Sequence, residues 1–365
     1  MNLNYHKMKF LRLAFYVLIA QLVLSGCAGE AVEETSSSSA SEINFDAYVG
    51  RNASTRSSET NIDFLKGNAF NAGFGVFARY NYNGKILSLL DTEHVTWNKY
   101  QNHWEYTNTR FWPSEGSVDF YAFAPYSDQP KMENFAINFP ANWSPVDLVY
   151  ANAEGKTKAD NPVKFTFRHA LARLSFEITA NPKIEEKDVV IKVKEVKLYG
   201  ADETSGIFLM QGNLNLKTGG WWPYDNGTRW FYTWTPDGKV EGRDDTLEEQ
   251  QKKGPIYKLS APPQLDYEHD KVTNHDDSYI FIIPQKKPDF FNLKITYTVE
   301  QGKFKEDVTV TKNLLDVLPG DSDPYFKGGK AYVFHLILSL DPVKFDVKAT
   351  VGNWIGDEVK DEITI

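Results

Sequence analysis

The chain has 365 residues, of which 41% are hydrophobic and 14% aromatic, and its formal net charge at pH 7 is −9. A chain of this length and apolar content can bury the cores of two ordinary domains, which excludes a disordered protein. The negative charge disfavours a broad surface for phosphate backbones or anionic lipid headgroups, so we expect no nucleic-acid partner.

Residues 1–26 have the pattern of a signal peptide. Basic residues at positions 7, 9 and 12 come first, and the apolar run Leu11–Leu24 that follows is too short to span a bilayer comfortably. Small residues then precede Cys27, the only cysteine of the chain. The pattern therefore predicts a removable export signal and not a membrane anchor helix.

Cys27 is predicted to carry a lipid. The sequence Leu24, Ser25, Gly26, Cys27 resembles the lipobox of bacterial lipoproteins, in which the cysteine thiol is diacylated and becomes the mature N-terminus. The alternative, a stray free thiol, is disfavoured because such a thiol is a liability in an exported chain. Each buried lipid methylene contributes about 0.8 kcal/mol to anchoring, so outer-membrane lipid is an expected partner through Cys27.

Residues 27–42 have the composition of a flexible tether. Acidic residues at positions 30, 33 and 34 are followed by the serine-rich stretch TSSSSAS at 35–41, which is typical of a solvated linker. The acidic part also resembles the surface-export signals of some Gram-negative lipoproteins. We therefore expect an outer-membrane lipoprotein precursor that reaches the cell surface.

From Ile43 onward, hydrophobic residues alternate with polar or small ones, which is the period of a half-buried β-strand. No window shows a sustained helical stripe, and glycines and prolines separate the runs. The pattern predicts an all-β chain of two antiparallel β-sandwich domains in tandem. The clearest alternating runs are residues 43–49, 118–122, 189–196, 293–297, 332–336 and 343–347.

The segment VKFTFRHALARLSFEI, residues 163–178, indicates a domain boundary. Alternation is in one phase up to Leu171 and in the other from Leu174, so the buried face must change between Ala172 and Arg173. Either a β-bulge lies there or the chain leaves one core and enters another, and the strand patterns that follow favour the second. The predicted domains are residues 43–172 and residues 173–365.

No arrangement of residues indicates catalysis. The seven histidines are scattered without metal-ligand spacing, and His169 is predicted to be a satisfied core or interface histidine. No serine lies in a nucleophile elbow, and the sole thiol is assigned to lipid. The acidic segments 242–250 and 268–278 lack the glycine hinge and closing glutamate of a calcium loop. We therefore expect no enzyme, no catalytic or metal-binding residue and no cofactor.

Tryptophans are numerous, and they have two interpretations. Large rings dominate burial in sandwich cores, which is the interpretation we favour, but surface proteins also use exposed aromatic faces to stack against sugar rings. Trp221 and Trp222 are the best candidates for exposure because adjacent residues of a strand face opposite ways.

Six fragments occur in a fixed order along the chain, and a late tryptophan, Trp354, follows them. In this order, behind a lipoprotein signal, they resemble the fimbrillin family of type V pilus subunits, from about Ile43 to the C-terminus. The fragments are 111–126 (FWPSEGSVDFYAFAPY), 147–151 (DLVYA), 167–176 (FRHALARLSF), 279–285 (YIFIIPQ), 291–299 (FNLKITYTV) and 328–338 (GGKAYVFHLIL).

The resemblance implies a pair of transthyretin-like β-sandwiches and a polymer formed by strand exchange. In this family a trypsin-like, arginine-specific surface protease removes the N-terminal strand with its lipid, and a strand from a neighbouring subunit fills the vacated groove. Transferred to this chain, the removable strand is INFDAYVG at 43–50 and the cut follows Arg56, with Arg51 as the second choice. The strand donor is expected in the C-terminal region, at 343–351 and 362–365.

We therefore predict a structural or adhesive pilin of a cell-surface fimbria. Its expected partners are other fimbrial subunits, the arginine-specific protease and a host or glycan ligand. Loss of an alternating edge strand exposes unpaired backbone groups and an apolar slot, which captures another strand, and a head-to-tail contact of this kind can propagate as a filament. The alternative is a glycan-binding surface lipoprotein that does not polymerise.

Overall fold

The computed structural model describes most of the chain after residue 40. By their backbone contacts, residues Glu42–Ile365 form one compact unit. The described residues are 41–50, 60–140, 147–180, 189–209, 211–223, 229–230, 232–234, 257–258, 273–274, 280–318, 323–339 and 345–354.

Strands form nearly all of the regular structure, so the prediction of an all-β chain is confirmed. In chain order the strands are β1 (Phe45–Val49), β2 (Phe74–Tyr82), β3 (Lys85–Asn98), β4 (His103–Glu105), β5 (Ser117–Ala124), β6 (Met132–Glu133), β7 (Ala136–Pro140), β8 (Val149–Lys156), β9 (Val163–His169), β10 (Ala172–Ala180), β11 (Val189–Tyr199), β12 (Phe208–Leu209), β13 (Gln211–Asn215), β14 (Trp221–Pro223), β15 (Arg229–Trp230), β16 (Tyr232–Trp234), β17 (Tyr257–Lys258), β18 (Thr273–Asn274), β19 (Ile280–Ile282), β20 (Asn292–Gln301), β21 (Phe304–Asn313), β22 (Lys330–Leu338) and β23 (Asp346–Asn353).

Helical turns are short in the described part of the chain. The helix α1 covers Ile62–Leu65, and the Asn61 side chain caps it by accepting a hydrogen bond from the Phe64 N–H at 2.8 Å. Two 3-10 turns cover Lys158–Asp160 and Leu314–Asp316. Among the described residues, no helix has both the length and the apolar character needed to cross a membrane.

The first core lies on a seven-stranded sheet whose order is β1-β9-β8-β5-β2-β3-β4. Its buried side chains come from Ile43 to Phe167, and phenylalanines dominate its centre. Alternate residues of each strand point into this core, because successive side chains of a strand face opposite ways. The period-two pattern of the first half of the sequence is the consequence.

The second core lies between two five-stranded sheets. One has the order β17-β10-β22-β23 with β19 also paired to β10, and the other has the order β18-β16-β11-β20-β21. Phe176, Phe291 and Phe334 are fully buried in it. The Phe291 and Phe334 rings meet edge to face at 5.8 Å, a geometry that adds about 0.5–1.5 kcal/mol to the burial itself.

Among the described strands, three pairs are parallel, in contrast to the antiparallel sandwiches that the pattern predicts. They are β1 with β9, β10 with β22, and β16 with β18. A tight hairpin forces consecutive strands to be antiparallel, but strands far apart in the sequence are free of that constraint. Each of these pairs joins strands that are not consecutive in the chain. The relative direction of the two strands is therefore set by the path of the long connection between them and not by a hairpin.

The chain passes from the first core to the second between β9 and β10. Phe167 packs in the first core and Leu174 in the second, so the phase change in the sequence accompanies a change of sheet. Gly328 lies against this crossing, where a Cβ atom would be only 2.6 Å from the Ala170 carbonyl oxygen. The placement of a domain boundary at residue 172 stays a prediction.

A four-stranded sheet, here called the linking sheet, connects the two halves of the chain. Its order is β14-β13-β7-β6, and β7 pairs with β13 so that Ile137 lies opposite Leu214. Both side chains are fully buried in the second core. Strands from either side of residue 172 therefore share backbone hydrogen bonds as well as a core.

We expect the substitution Ile137→Ala to lower the free energy of unfolding by about 2–5 kcal/mol, because it leaves a cavity where both halves of the chain meet. Urea unfolding followed by tryptophan fluorescence measures the change. Lys85→Ala, at an exposed position of β3, is the control and should alter the same free energy by less than about 0.5 kcal/mol. If Ile137→Ala also lowered the free energy of unfolding by less than about 0.5 kcal/mol, the conclusion that both halves of the chain share this core would be wrong.

Candidate functional site

β1 lies at one edge of the seven-stranded sheet. It runs parallel to β9, in a register that places Phe45 opposite Val163 and Val49 opposite Phe167. Residues 43–50, which the sequence analysis identifies as the removable strand, are therefore seated in a sheet and not exposed on all sides.

The side chains of this segment alternate between core and solvent. Ile43, Phe45 and Val49 are almost completely buried, whereas Tyr48 is 53% exposed. Ala47 is half-buried against the same core. The buried face of β1 is thus the one that the alternating pattern predicts.

Phe45 lies at the centre of an aromatic cluster. Its ring stacks on Phe165 and meets Phe120 edge to face, both at 5.7 Å between centroids. The Tyr106 ring lies at 5.3 Å and the Phe74 ring at 6.4 Å. These rings form the walls of an apolar slot around one side chain of β1, the β1 slot.

A polar clip holds the backbone just before β1. The Tyr106 hydroxyl donates a hydrogen bond to the Ile43 carbonyl oxygen at 2.9 Å and accepts one from the Arg110 backbone N–H at 3.1 Å. The Ile43 N–H donates to the Arg110 carbonyl oxygen at 2.8 Å. Burial raises the pKa of Tyr106, and the hydrogen bond from Arg110 opposes that shift in part. The phenol therefore remains a proton donor at neutral pH.

The Asn44 backbone makes hydrogen bonds on the β9 side of the same segment. Its carbonyl oxygen accepts a hydrogen bond from the Val163 N–H at 2.8 Å. Its own N–H donates to the Asn161 side-chain oxygen, also at 2.8 Å. The start of β1 is therefore held from both sides, by the 106–110 segment and by the turn that precedes β9.

β9 has most of its backbone pairing with β1. Within the described residues, β8 pairs only with Arg168 and His169 of β9, whereas β1 pairs with 163–167. Removal of β1 would leave those backbone groups unpaired. It would also expose the slot, because each large apolar side chain of β1 contributes about 1.5–3 kcal/mol by its burial. An edge of this kind accepts another strand of the same pattern.

Thr60, which follows the segment after β1, is fixed to a buried aspartate. Its N–H donates to Asp147 Oδ2 at 2.9 Å, and its hydroxyl donates to the Asp147 carbonyl oxygen. Asp147 Oδ1 lies 2.9 Å from His169 Nδ1, and the His169 ring stacks on Trp354 at 3.9 Å. His169 is thus a satisfied histidine, as the sequence analysis predicts, and it lies where the two cores meet.

Three residues with predicted roles lie outside the described residues. They are the lipid site Cys27 and the cleavage candidates Arg51 and Arg56. Gly50 and Thr60, which flank both arginines, are described. The structure therefore fixes the two ends of the segment that carries the predicted cut.

Of the two parts of the predicted donor region, one is paired in the protein's own sheet and the other lies outside the described residues. β23 pairs in antiparallel register with β22, and the Phe345 and Val347 side chains are buried in the second core. Residues 346–353 therefore already occupy a place in the protein's own sheet. Residues 362–365, the other part of the predicted donor, lie outside the described residues.

Sequence reasoning did not identify Tyr106 or Asp147 as parts of this site. Asp147 opens the fragment DLVYA, and an acid directly before an apolar run is the signal that would have indicated it. Tyr106 lies in an irregular stretch with no such signal, because its partner Ile43 is distant in the sequence. No three His, Cys, Asp or Glu side chains in the described ranges are grouped so as to hold a metal ion.

Comparison with known proteins identifies a family for most of the chain after β1. Residues 55–354 match a family model described as fimbrillin-like. A fimbrial protein from Bacteroides vulgatus is similar in structure, with 20% identity and a TM-score of 0.58 over 86% of this chain and 99% of that one. A tip fimbrial protein from Porphyromonas gingivalis has 10% identity and a TM-score of 0.33 over 77% of this chain and 93% of that one. A search of the curated proteins finds no match.

We expect Phe45→Ala to lower the free energy of unfolding by about 3–5 kcal/mol, because it empties the β1 slot. Tyr48→Ala is the matched control on the opposite face of the same strand, and it should change stability by less than about 0.5 kcal/mol. Urea denaturation of the two variants gives both values. Equal losses for the two variants would show that the β1 slot does not hold the strand.

We expect Tyr106→Phe to cost about 1–2 kcal/mol at pH 7, because it removes the clip and takes away the hydroxyl that donates to the part-buried Ile43 carbonyl oxygen. The pKa of Tyr106 is raised in the folded protein, so this contribution is fully present below about pH 10, the ordinary tyrosine value, and is lost as the pH rises beyond it. Denaturation at pH 7 and at pH 10.5 tests both statements, with Tyr48→Phe as the control. A difference from wild type that grows at the higher pH would contradict them.

Proposed function

Because this chain belongs to the fimbrillin-like family, we propose that it is a fimbrial subunit at the cell surface that assembles by exchange of its first strand. The observation that carries the proposal is the position of β1, which is an edge strand with a buried apolar face. Its removal leaves both an unpaired edge on β9 and an empty slot, and a strand from a second subunit satisfies both needs at once.

Proteolysis after Arg56 is the proposed trigger. The cut separates β1 from the rest of the chain while Thr60 keeps its two hydrogen bonds to Asp147. Serine, threonine and asparagine surround Arg56 in the sequence, and polar segments of this kind are readily cleaved. Once cut, β1 is held to the rest of the subunit only by non-covalent contacts, namely its slot, its ladder and the hydrogen bonds of Ile43 and Asn44, so a competing strand can replace it.

The proposed donor is the segment that follows Trp354. Residues 346–353 are already paired with β22, so their use as a donor would open the second core. The last residues, EITI at 362–365, place Ile363 and Ile365 two positions apart, the same spacing as Ile43 and Phe45. A head-to-tail contact made in this way does not close on itself and extends into a filament.

Lipidation at Cys27 and export to the outer membrane complete the proposal. The lipid would hold the precursor at the cell surface until the cut after Arg56 releases the subunit from its anchor. The subunit then has a structural or adhesive role and no catalytic one. The alternative, a glycan-binding lipoprotein that does not polymerise, differs in keeping Cys27 as its mature N-terminus.

We expect an arginine-specific protease to cleave the purified full chain after Arg56 and to produce SDS-resistant ladders on gels. N-terminal sequencing of the assembled protein should then begin at Ser57. Arg56→Lys, which keeps the charge but removes the recognised residue, should block both the cut and the ladder, whereas Arg51→Lys should leave them unchanged. Assembled protein that begins at Cys27 would refute the processing step, and a start at Asn52 would move the cut to Arg51.

A further inference from the structure

A cleft of about 1100 Å³ lies beside the linking sheet. One wall comes from β7, β13 and β14, and the other from the segment 125–131 that follows β5. Phe123 and Leu148, both buried, lie at its base. None of the rings of the β1 slot lines this cleft. Typical small-ligand clefts occupy about 300–1,000 Å³, so this one has room for an extended ligand.

Two large aromatic side chains of the cleft are left in solvent. Trp222 is 56% exposed and Phe70 is 92% exposed. Trp221, the neighbour of Trp222, turns inward, where its indole N–H donates to the Ala170 carbonyl oxygen at 2.8 Å and its ring packs against Phe139. The prediction that these adjacent tryptophans face opposite ways is confirmed. Exposed rings that share one concave surface indicate a ligand that covers them.

Asparagine side chains supply the polar groups of the cleft. Asn138 and Asn213 face each other across β7 and β13, and Asn138 Nδ2 donates to Asn213 Oδ1 at 3.1 Å. In the described part of the chain, Asn138 Oδ1 and the Asn213 Nδ2 group have no other partner. Asn71 and Asn134 also line the cleft. A primary amide both donates and accepts hydrogen bonds, as a sugar hydroxyl does.

The charges of the cleft do not indicate an ionic ligand. Among the described residues, its charged lining side chains are Asp128, Lys131 and Glu133, one positive against two negative. The Asp128 carboxylate already accepts a hydrogen bond from the Gln129 side chain at 2.7 Å. A phosphate or a polyanion requires a cluster of basic groups, and the described part of the lining contains one lysine.

The wall that faces the linking sheet is held in place before any ligand binds. The Tyr126 N–H donates to the Asn71 carbonyl oxygen at 3.0 Å, and the Tyr126 ring stacks on His94 at 3.6 Å. The Thr92 hydroxyl donates to the Pro130 carbonyl oxygen at 2.8 Å. Because this wall is already ordered, ligand binding does not incur the entropy cost of ordering it.

We propose that this cleft binds a neutral oligosaccharide. Trp222 and Phe70 stack on the apolar faces of its rings, and the amides of Asn138 and Asn213 pair with its hydroxyl groups. A peptide fits the cleft less well, because the edge strand that the linking sheet presents there, β14, has only three residues, whereas peptide grooves present a longer open edge or deep apolar pockets. The site is independent of strand exchange, since the two surfaces share none of the residues named for either.

The test is a binding survey with the purified full chain on an array of neutral and anionic glycans, followed by calorimetric titration with the neutral glycan that binds best. Trp222→Ala and Phe70→Ala should each weaken binding at least about fivefold, the lower end of what an aromatic stacking contact contributes. Tyr100→Ala, which removes an 88% exposed ring outside the cleft, is the control and should bind as wild type does. Unchanged melting temperatures would establish that all three variants fold.

Two further variants separate this site from its alternatives. Asn213→Ala should weaken glycan binding while leaving the aromatic rings in place, so unchanged affinity would overturn the pairing with hydroxyl groups. Arg56→Lys should bind glycan fully, because it affects only the proposed processing step. Absence of binding to every neutral glycan, binding to anionic glycans alone, or capture of an uncharged peptide library with no glycan bound would each overturn the proposal.

Discussion

The parallel pairing of β1 with β9 is the constraint on which the first core depends. β9 has few other backbone partners in the described part of the chain, and the Phe45 ring fills the space between aromatic residues of four different segments. Loss of a strand that supplies both a ladder and a central ring leaves an unpaired edge and an empty slot. The strand exchange proposed above therefore requires an incoming strand that restores both.

The junction of the two cores limits how far such an exchange can spread. Asp147 holds Thr60 on one side and His169 on the other, and the His169 ring rests on Trp354 from the end of the described chain. None of these contacts uses β1. Together with the linking sheet, they hold the second core without any contribution from β1, so in the proposed exchange only the slot and the edge of β9 would open.

The slot and the cleft differ in their chemistry, and the two functions proposed for them rest on that difference. The slot is apolar and lies beside an incomplete ladder, which selects a polypeptide strand through its backbone. The cleft presents solvent-exposed rings and amides, which select a ligand through stacking and directed hydrogen bonds. If both proposals hold, a subunit would join its neighbours through the slot and attach to a glycan-bearing surface through the cleft.

The sequence by itself determined the all-β class and the buried face of β1, because alternation is local and the pattern within each strand shows which of its sides is buried. The ordered fragments also indicated the family. Only the tertiary structure decided that β1 runs parallel to β9, that Tyr106 clips Ile43 and that Trp222 rather than Trp221 faces solvent. These features depend on contacts between residues far apart in the chain, and a period-two pattern contains no information about which distant strand will lie beside it or in which direction.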